Sequence, residues 1–361
     1  MTNHFSIVCF LEFTFSLYEF YEKLIIGRKF LLGYVMIDLS IIIPVYNASA
    51  LIERTLDSVF KQTTKYKFEV LCIDDGSTDN SVGLIEQFSK AHDNGCIRVL
   101  RQQNAGPSVA RNNGVEHAES RYVTFIDADD YWEDGYIEES VSFLDAHLEC
   151  VAVAVGCKNI SSLGGDVSYN PIWLSEDLVK EPYVIRDFFA EWACDCFVGT
   201  CSTTIRREVA LQSGGMRTDL RVSEDYEYWN YISTFGKWGL IPKMLYISDG
   251  GDVTWSQGWL NKMKCRWANA PALSVWECRI VSTFEMEMPD SYKMVQGRVS
   301  RNLTYCQLLD GRLTLSRSEA LKYGEYFIKD PIGRLMNLAK YTPFTWWMLA
   351  KFLQYREYHR R

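Results

Sequence analysis

From Leu39 onward, apolar runs of strand length alternate with stretches whose apolar residues recur at helical spacing, and this alternation restricts the chain to few folds. Residues 40–45 form a continuous apolar strand that stops at Tyr46-Asn47, and Leu51, Ile52, Leu56, Val59 and Phe60 give the helical stripe after it. Residues 68–73 are a second strand, ending at Asp74-Asp75-Gly76-Ser77, with Val82, Leu84, Ile85 and Phe88 marking the next helix. A third strand (97–100), a short helix (106–115) and a fourth strand (122–126) follow, then a helix near 136–147 and a strand over 151–156. Strands separated by helices of this length require crossover connections, so the fold class is α/β with a mainly parallel, Rossmann-like sheet flanked by helices.

In such sheets ligands bind beyond the carboxyl ends of the strands, where the strand order reverses. Tyr46-Asn47, Asp74-Asp75 and Asp127-Ala128-Asp129 all fall at such ends. The last is the sharpest, because the buried-type run Tyr122-Val123-Thr124-Phe125-Ile126 stops at three carboxylates. Residues i and i+2 of an extended backbone share a side, so Asp127 and Asp129 can present oxygens to one hard cation. Mg²⁺ or Mn²⁺ is typically held by one or two carboxylates, with water and a diphosphate filling the other positions. An acidic turn or helix cap would also use Asp, but three polar clusters at successive strand ends favour the metal reading.

Composition narrows the ligand. A formal charge of -8 argues against a nucleic-acid partner, so an anionic substrate needs a cation or a local set of donors. The eleven cysteines are scattered and sit mostly in apolar runs (Cys72, Cys150, Cys157), which reads as buried thiols in a reducing compartment. Cys194, Cys196 and Cys201 lack paired zinc spacing, and none of the five histidines stands in a nucleophilic arrangement.

A dinucleotide-binding domain would need G-x-G-x-x-G after the first strand, where this chain has Tyr46-Asn47-Ala48-Ser49-Ala50, and a Walker A loop is also missing. Four ordered motifs do stand in the chain: Ser40-Ile41-Ile42-Ile43-Pro44-Val45-Tyr46-Asn47, Ile73-Asp74-Asp75-Gly76-Ser77-Thr78-Asp79, Asn104-Ala105-Gly106-Pro107-Ser108-Val109-Ala110-Arg111-Asn112 and Asp127-Ala128-Asp129-Asp130. Together they resemble the nucleotide-binding half of the family 2 glycosyltransferases of bacterial polysaccharide type, which have the GT-A fold. The resemblance implies that Pro44, Tyr46, Asn47, Asp74, Asp75 and Ser77 surround base and ribose, and that Gly106 and Arg111 line the sugar diphosphate. It further implies that Asp127, Ala128 and Asp129 meet ribose and metal, with Asp129 and Asp127 as the metal carboxylates. Chemistry agrees in part, since a carboxylate such as Asp74 or Asp75 can accept from a uracil or thymine N3–H.

The resemblance thins over 158–182, read as an irregular insertion, and resumes at Gly199-Thr200-Cys201-Ser202 and Gly214-Gly215-Met216. It ends at Ser223-Glu224-Asp225-Tyr226-Glu227-Tyr228-Trp229, similar to the family's acidic helix start, whose Asp is the catalytic base. Transfer with inversion needs a carboxylate opposite the leaving group to take the acceptor's proton, which Asp225, beside Glu224, would supply. Both acids would equally suit a helix N-terminus. The family's basic residue after the strand at 240–247 has no counterpart in Ser248-Asp249-Gly250-Gly251-Asp252.

The expected organisation is a leader or loosely attached segment over 1–35, with Met36 as the start, then a catalytic domain over 36–250 (nucleotide half 36–132, acceptor half 133–250) and a helical region over 251–361. Trp255 and Trp259 suit a sugar face or a core equally. From 331 to 361 six basic residues meet one acid, Glu357, with Phe344, Trp346, Trp347, Met348, Leu349, Phe352 and Leu353 between them. That segment fits either a packed terminal helix or one docked on an anionic membrane surface, and it is too short to cross, where about 20 apolar residues are needed.

The reading is therefore an inverting glycosyltransferase dependent on Mn²⁺ or Mg²⁺. It would use a nucleoside-diphosphate sugar, expected to be a UDP-sugar, and a glycan or polyprenyl-linked glycan acceptor, in the cytoplasm or peripheral on the inner face of its membrane. The alternative is a non-catalytic nucleotide-sugar-binding assembly protein. A nucleotidyltransferase would want a glycine-rich basic loop after the first strand, which this turn is not.

Overall fold

A computed structural model describes residues 37–92, 96–160, 167–171, 180–249, 259–285 and 287–359. The expected leader over 1–35, Met36, Trp255 and the turn 250–252 lie outside the described residues, as does the side chain of Trp259. In chain order the elements are β1 Leu39–Val45, α1 Ile52–Phe60, β2 Phe68–Asp74, α2 Ser81–His92, β3 Ile97–Arg101, α3 Pro107–His117, β4 Tyr122–Phe125, β5 Tyr131–Trp132, α4 Tyr136–Ala146, β6 Cys150–Ile160, β7 Val167–Asn170, β8 Tyr183–Val184, α5 Phe188–Asp195, β9 Thr203–Arg206, α6 Arg207–Gln212, α7 Glu224–Ile232 and β10 Lys237–Asp249. The remainder is helical: α8 Trp259–Ala268, α9 Leu273–Trp276, α10 Cys278–Val281, α11 Asp290–Leu309, α12 Leu313–Tyr323, α13 Pro331–Ala339 and α14 Pro343–Tyr358.

One sheet orders the strands β3-β2-β1-β4-β9-β6-β10-β5. β1 is parallel to both β2 and β4, and β2 to β3. The order therefore reverses between β1 and β4, which places the crevice where α/β sheets bind ligands. β1 is covered on both faces and reads as an unbroken apolar run for that reason. Its one polar side chain, Ser40, is satisfied by Glu69 and Ser120, each at 2.6 Å, and Glu69 in turn by Arg98.

The parallel arrangement is confined to this half and to the β6–β10 pair. β9 runs antiparallel between β4 and β6, and β5 and β8 run antiparallel to β10. The supposed irregular insertion over 158–182 is corrected in part: β6 continues to Ile160 and β7 folds back on it with Cys157 opposite Asn170. At four residues, Val167 to Asn170 is too short a run for alternation to mark as a strand.

The C-terminal helices share the core of the sheet. A single apolar cluster joins Ile42 and Phe125 through Trp229 to Trp276, Leu303, Trp346 and Leu353, all buried. Each such side chain contributes roughly 1.5–3 kcal/mol on burial, so these helices are a structural continuation of the α/β layers.

Candidate active site

β1, β2 and β4 deliver their loops to one end of the sheet. Val45 lies level with Asp74, and the Asp75 amide donates to the Val45 carbonyl at 2.8 Å. Asn47, at φ 51, accepts from the Thr78 amide at 2.8 Å and donates its own amide to Ser77 Oγ. The left-handed backbone there, tolerated by Asn, ties the β1 and β2 loops together, and Tyr46 before it is exposed.

The two acids after β2 differ. Asp75 accepts from Gln102 and the Ala105 amide through Oδ1 and from the Gly106 amide through Oδ2, each at 2.8 Å. Its oxygens are committed to shaping the entry of α3. Asp74 gives Oδ1 to the Ser77 amide at 3.0 Å and keeps Oδ2 without a donor among the described residues. Of the pair, Asp74 is the one left able to read a base. Asp79 receives the Ser81 amide and hydroxyl, and these and the Ser49 amide hold its carboxyl well below the usual range against its desolvation.

α3 begins with Gly106 at φ 95 and Pro107 in its first turn, a pairing of glycine freedom with a preset proline. A helix start leaves amides without intrahelical acceptors, a favourable place for phosphate, although those of Ala105 and Gly106 are already taken by Asp75. Arg111, one turn on, is buried, and its Nη2 donates to Asp127 Oδ1 at 2.6 Å. Burial works against the guanidinium's charge, but Asp127, Cys201 and Asp225 around it outweigh that and raise its pKa. Arg111 therefore feels both the acid tip and the acidic helix start, which are 98 residues apart in sequence.

At the tip Asp127 is half-buried, Ala128 buried and Asp129 exposed. The Asp130 amide donates to the Asp127 carbonyl at 3.1 Å, a tight turn. Arg54 donates to the Asp129 carbonyl while lying over the Tyr131 ring. Asp130 points inward, where the Tyr246 hydroxyl donates to its Oδ2 at 2.5 Å. Ligand atoms of Asp127, Asp130 and Cys201 lie within 4.8 Å of one another. Burial first, then the neighbouring Asp127 and Asp130, push the Cys201 thiol far up, and its soft sulfur does not suit a hard cation. The tight turn at the tip ends the extended backbone on which the pairing of Asp127 with Asp129 was expected, and the carboxylates that the fold brings together are Asp127 and Asp130, with Asp129 exposed; carboxylate oxygens are the donors that Mg²⁺ or Mn²⁺ takes.

Asp225 sits in the first turn of α7 and accepts from the Tyr226 amide at 2.8 Å. Desolvation, then the adjacent Glu224, raises its pKa above the ordinary aspartate value, which moves it toward the working range of a general base. The turn into α7 is strained, with Ser223 at φ 57, and Trp276 Nε1 donates to the Ser223 carbonyl at 2.9 Å. Arg279 forks onto buried Glu227 at 2.6 Å through two nitrogens and reaches the Gly215 carbonyl at 2.9 Å. Asn112 closes the loop, exchanging two 2.8 Å hydrogen bonds with the backbone of Met216. A Cβ at Gly215 would stand 2.5 Å from Asn112 Oδ1, so only glycine admits this contact.

Sequence patterns missed Trp276, Arg279, Tyr246 and Arg221. Arg221 is exposed, makes no ion pair among the described residues, and brings Nη1 within 3.7 Å of the Cβ position of Gly106. It supplies a cation beside the α3 entry, where the Ser248-Asp249 stretch has none. The signal available was its place four residues before Asp225.

Comparison with known proteins gives this geometry a family. GgaB of Bacillus subtilis (strain 168), named a minor teichoic acid biosynthesis protein, is 28% identical over 215 residues, which is 58% of this chain but only 22% of GgaB. Staphylococcus aureus TarS residues 1–349, crystallised with UDP-GlcNAc, superposes with a TM-score of 0.55 at 15% identity, covering 90% of this chain and 93% of that one. The mannosyltransferase PcManGT of Pyrobaculum calidifontis, solved with GDP-Man and Mn²⁺, gives 0.53 at 18% identity over 90% and 88%. These superpositions establish the GT-A fold. Residues 40–210, just under half of the chain, match the model of Glycosyl transferase family 2.

Proposed function

We propose that this protein is an inverting, metal-dependent glycosyltransferase that moves a sugar from a UDP-sugar to a hydroxyl of a glycan or polyprenyl-linked glycan in cell-surface polysaccharide synthesis, in the cytoplasm. The observation that carries the reading is Arg111, buried and paired with Asp127 on the donor side at 2.6 Å, with the charge of Asp225 adding to the field around it. Asp74 would accept the uracil N3–H through its free oxygen, while Asn47 and Ser77 hold the loops on either side of the base. The α3 amides and Arg221 would face the diphosphate. Asp225 would take the acceptor hydroxyl's proton, and Arg111 would keep Asp127 oriented as charge builds on the leaving group. A divalent cation held at the acidic turn would neutralise the leaving diphosphate. GgaB's teichoic acid role and the UDP-GlcNAc bound by TarS support a surface-glycan acceptor and a uridine donor.

The test is nucleoside-diphosphate release from a panel of nucleotide sugars with Mn²⁺ or Mg²⁺, against EDTA, with the product's anomeric configuration read by NMR. We expect release with a UDP-sugar, inversion at the anomeric carbon, and loss of transfer in Asp129→Ala with a strong reduction in Asp127→Ala. Asp129→Ala should remain folded, because its side chain is exposed, whereas Asp127→Ala should also lose stability, because it strips the buried Arg111 of its partner. Tight binding of a UDP-sugar without turnover on any acceptor would favour the non-catalytic assembly role. Full activity of Asp129→Ala in EDTA would remove the metal from the reading.

A further inference from the structure

Helix α14 is apolar on two opposite faces, and among the described residues only one of them is covered. Trp346, Leu349, Ala350 and Leu353 are buried against the helical layer, where Trp346 Nε1 donates to Ser316 Oγ at 3.0 Å and Gln354 reaches the Leu309 carbonyl. Phe344, Trp347, Met348, Phe352 and Tyr355 follow the i, i+3, i+4 spacing of a second stripe, and all are between 46% and 67% exposed. Nine of the seventeen large hydrophobic side chains exposed among the described residues lie between Leu335 and Tyr358. A patch concentrated in this way signals a partner.

Charge selects the partner. The exposed charged side chains of residues 331–359 are Arg334, Lys351 and Arg356, all positive, because the sole acid, Glu357, is buried and accepts from Tyr305 and Arg356. Lys351 sits within the aromatic stripe, between Met348 and Phe352. Lys340, a basic residue that the sequence offered for the same role, is buried and unavailable. A two-fold contact between copies would set this positive face against itself. An anionic bilayer instead takes aromatic rings at the headgroup boundary and pairs the basic groups with lipid phosphates. No helix among the described residues is long and apolar enough to cross a membrane.

We infer that the outer face of α14 is a docking surface for an anionic lipid bilayer, with Phe344, Trp347, Met348, Phe352 and Tyr355 entering the interface and Lys351 and Arg334 meeting headgroup phosphates. This surface is separate from the transfer reading, and a catalytically silent protein would dock equally well.

The experiment is co-sedimentation of the full chain with phosphatidylcholine vesicles, with and without about one third phosphatidylglycerol. Trp347→Ser/Phe352→Ser and Arg334→Glu/Lys351→Glu are run beside it, after circular dichroism shows each to be folded. The wild-type protein should partition onto the anionic vesicles at least about tenfold better than either variant, and Asp225→Asn should bind like wild type. Equal partitioning of wild type and the Trp347/Phe352 variant would overturn the inference. So would sedimentation equilibrium showing a dimer that this variant dissolves while wild type ignores vesicles, which would make a second copy the occupant.

Discussion

Trp276 donates its indole N–H to the carbonyl of Ser223 across 2.9 Å, so a residue of the C-terminal helices braces the left-handed turn that launches the helix carrying Asp225. Three residues later Arg279 grips Glu227 in the same helix and the Gly215 carbonyl beside it. The candidate base is thus held from a region that the family match over 40–210 does not include.

Breaking the Glu227–Arg279 pair should expose what that grip is worth. Glu227 is fully buried and Arg279 mostly so, and removing one partner of a buried pair typically costs about 3–5 kcal/mol. Arg279→Ala should therefore lower the denaturation midpoint sharply in urea and reduce transfer. Glu227→Gln/Arg279→Ala should cost clearly less than the sum of the single changes, because the uncompensated charge is gone. An additive double mutant would show that the pair does not act as a unit.

Asp225→Asn should cut kcat by a factor on the order of a hundred while leaving the dissociation constant of the donor within about twofold, as for loss of a general base. Activity of the unaltered protein needs the carboxylate, so the acid limb of kcat/KM should fall above the ordinary aspartate range. Because burial raises the pKa of Asp225 in the folded state, its ionisation opposes folding at neutral pH, and that cost fades as pH drops below the unfolded value. The Asn variant should accordingly melt at the same temperature or higher at pH 7, an advantage that vanishes near pH 3. Calorimetry at the two pH values checks the sign, and a lower melting temperature at pH 7 would contradict it.

Arg221→Ala should act on the donor and leave the fold alone. The side chain is exposed and makes no ion pair among the described residues, so its loss should shift the melting temperature little. If it faces the diphosphate beside Gly106, KM for the nucleotide sugar should rise about tenfold, with partial recovery in Arg221→Lys, which keeps the charge and loses the fork. Unchanged donor kinetics in Arg221→Ala would leave the diphosphate to the α3 amides, Arg111 and the metal.

Much of the nucleotide half was legible before any coordinates, because each strand there is an unbroken apolar run and each functional loop follows it directly. β1 needs its whole length buried, so Ser40 to Val45 could be little else, and the end of β4 just before the acidic turn follows from where the apolar run stops. The division of labour between neighbours was not legible. Asp74 and Asp75 look alike in sequence, yet three donors from the Gln102 to Gly106 segment consume one, while the other keeps an oxygen without a donor among the described residues. Asp130 looked like one more acid of the tip and instead turns inward to Tyr246, 116 residues away. Such choices depend on which hydrogen-bond partners the tertiary fold brings within about 3 Å, and no local pattern encodes them. The same holds at the C-terminus, where periodicity marks two apolar faces on α14 and only packing against α11 and α12 decides which of them faces water.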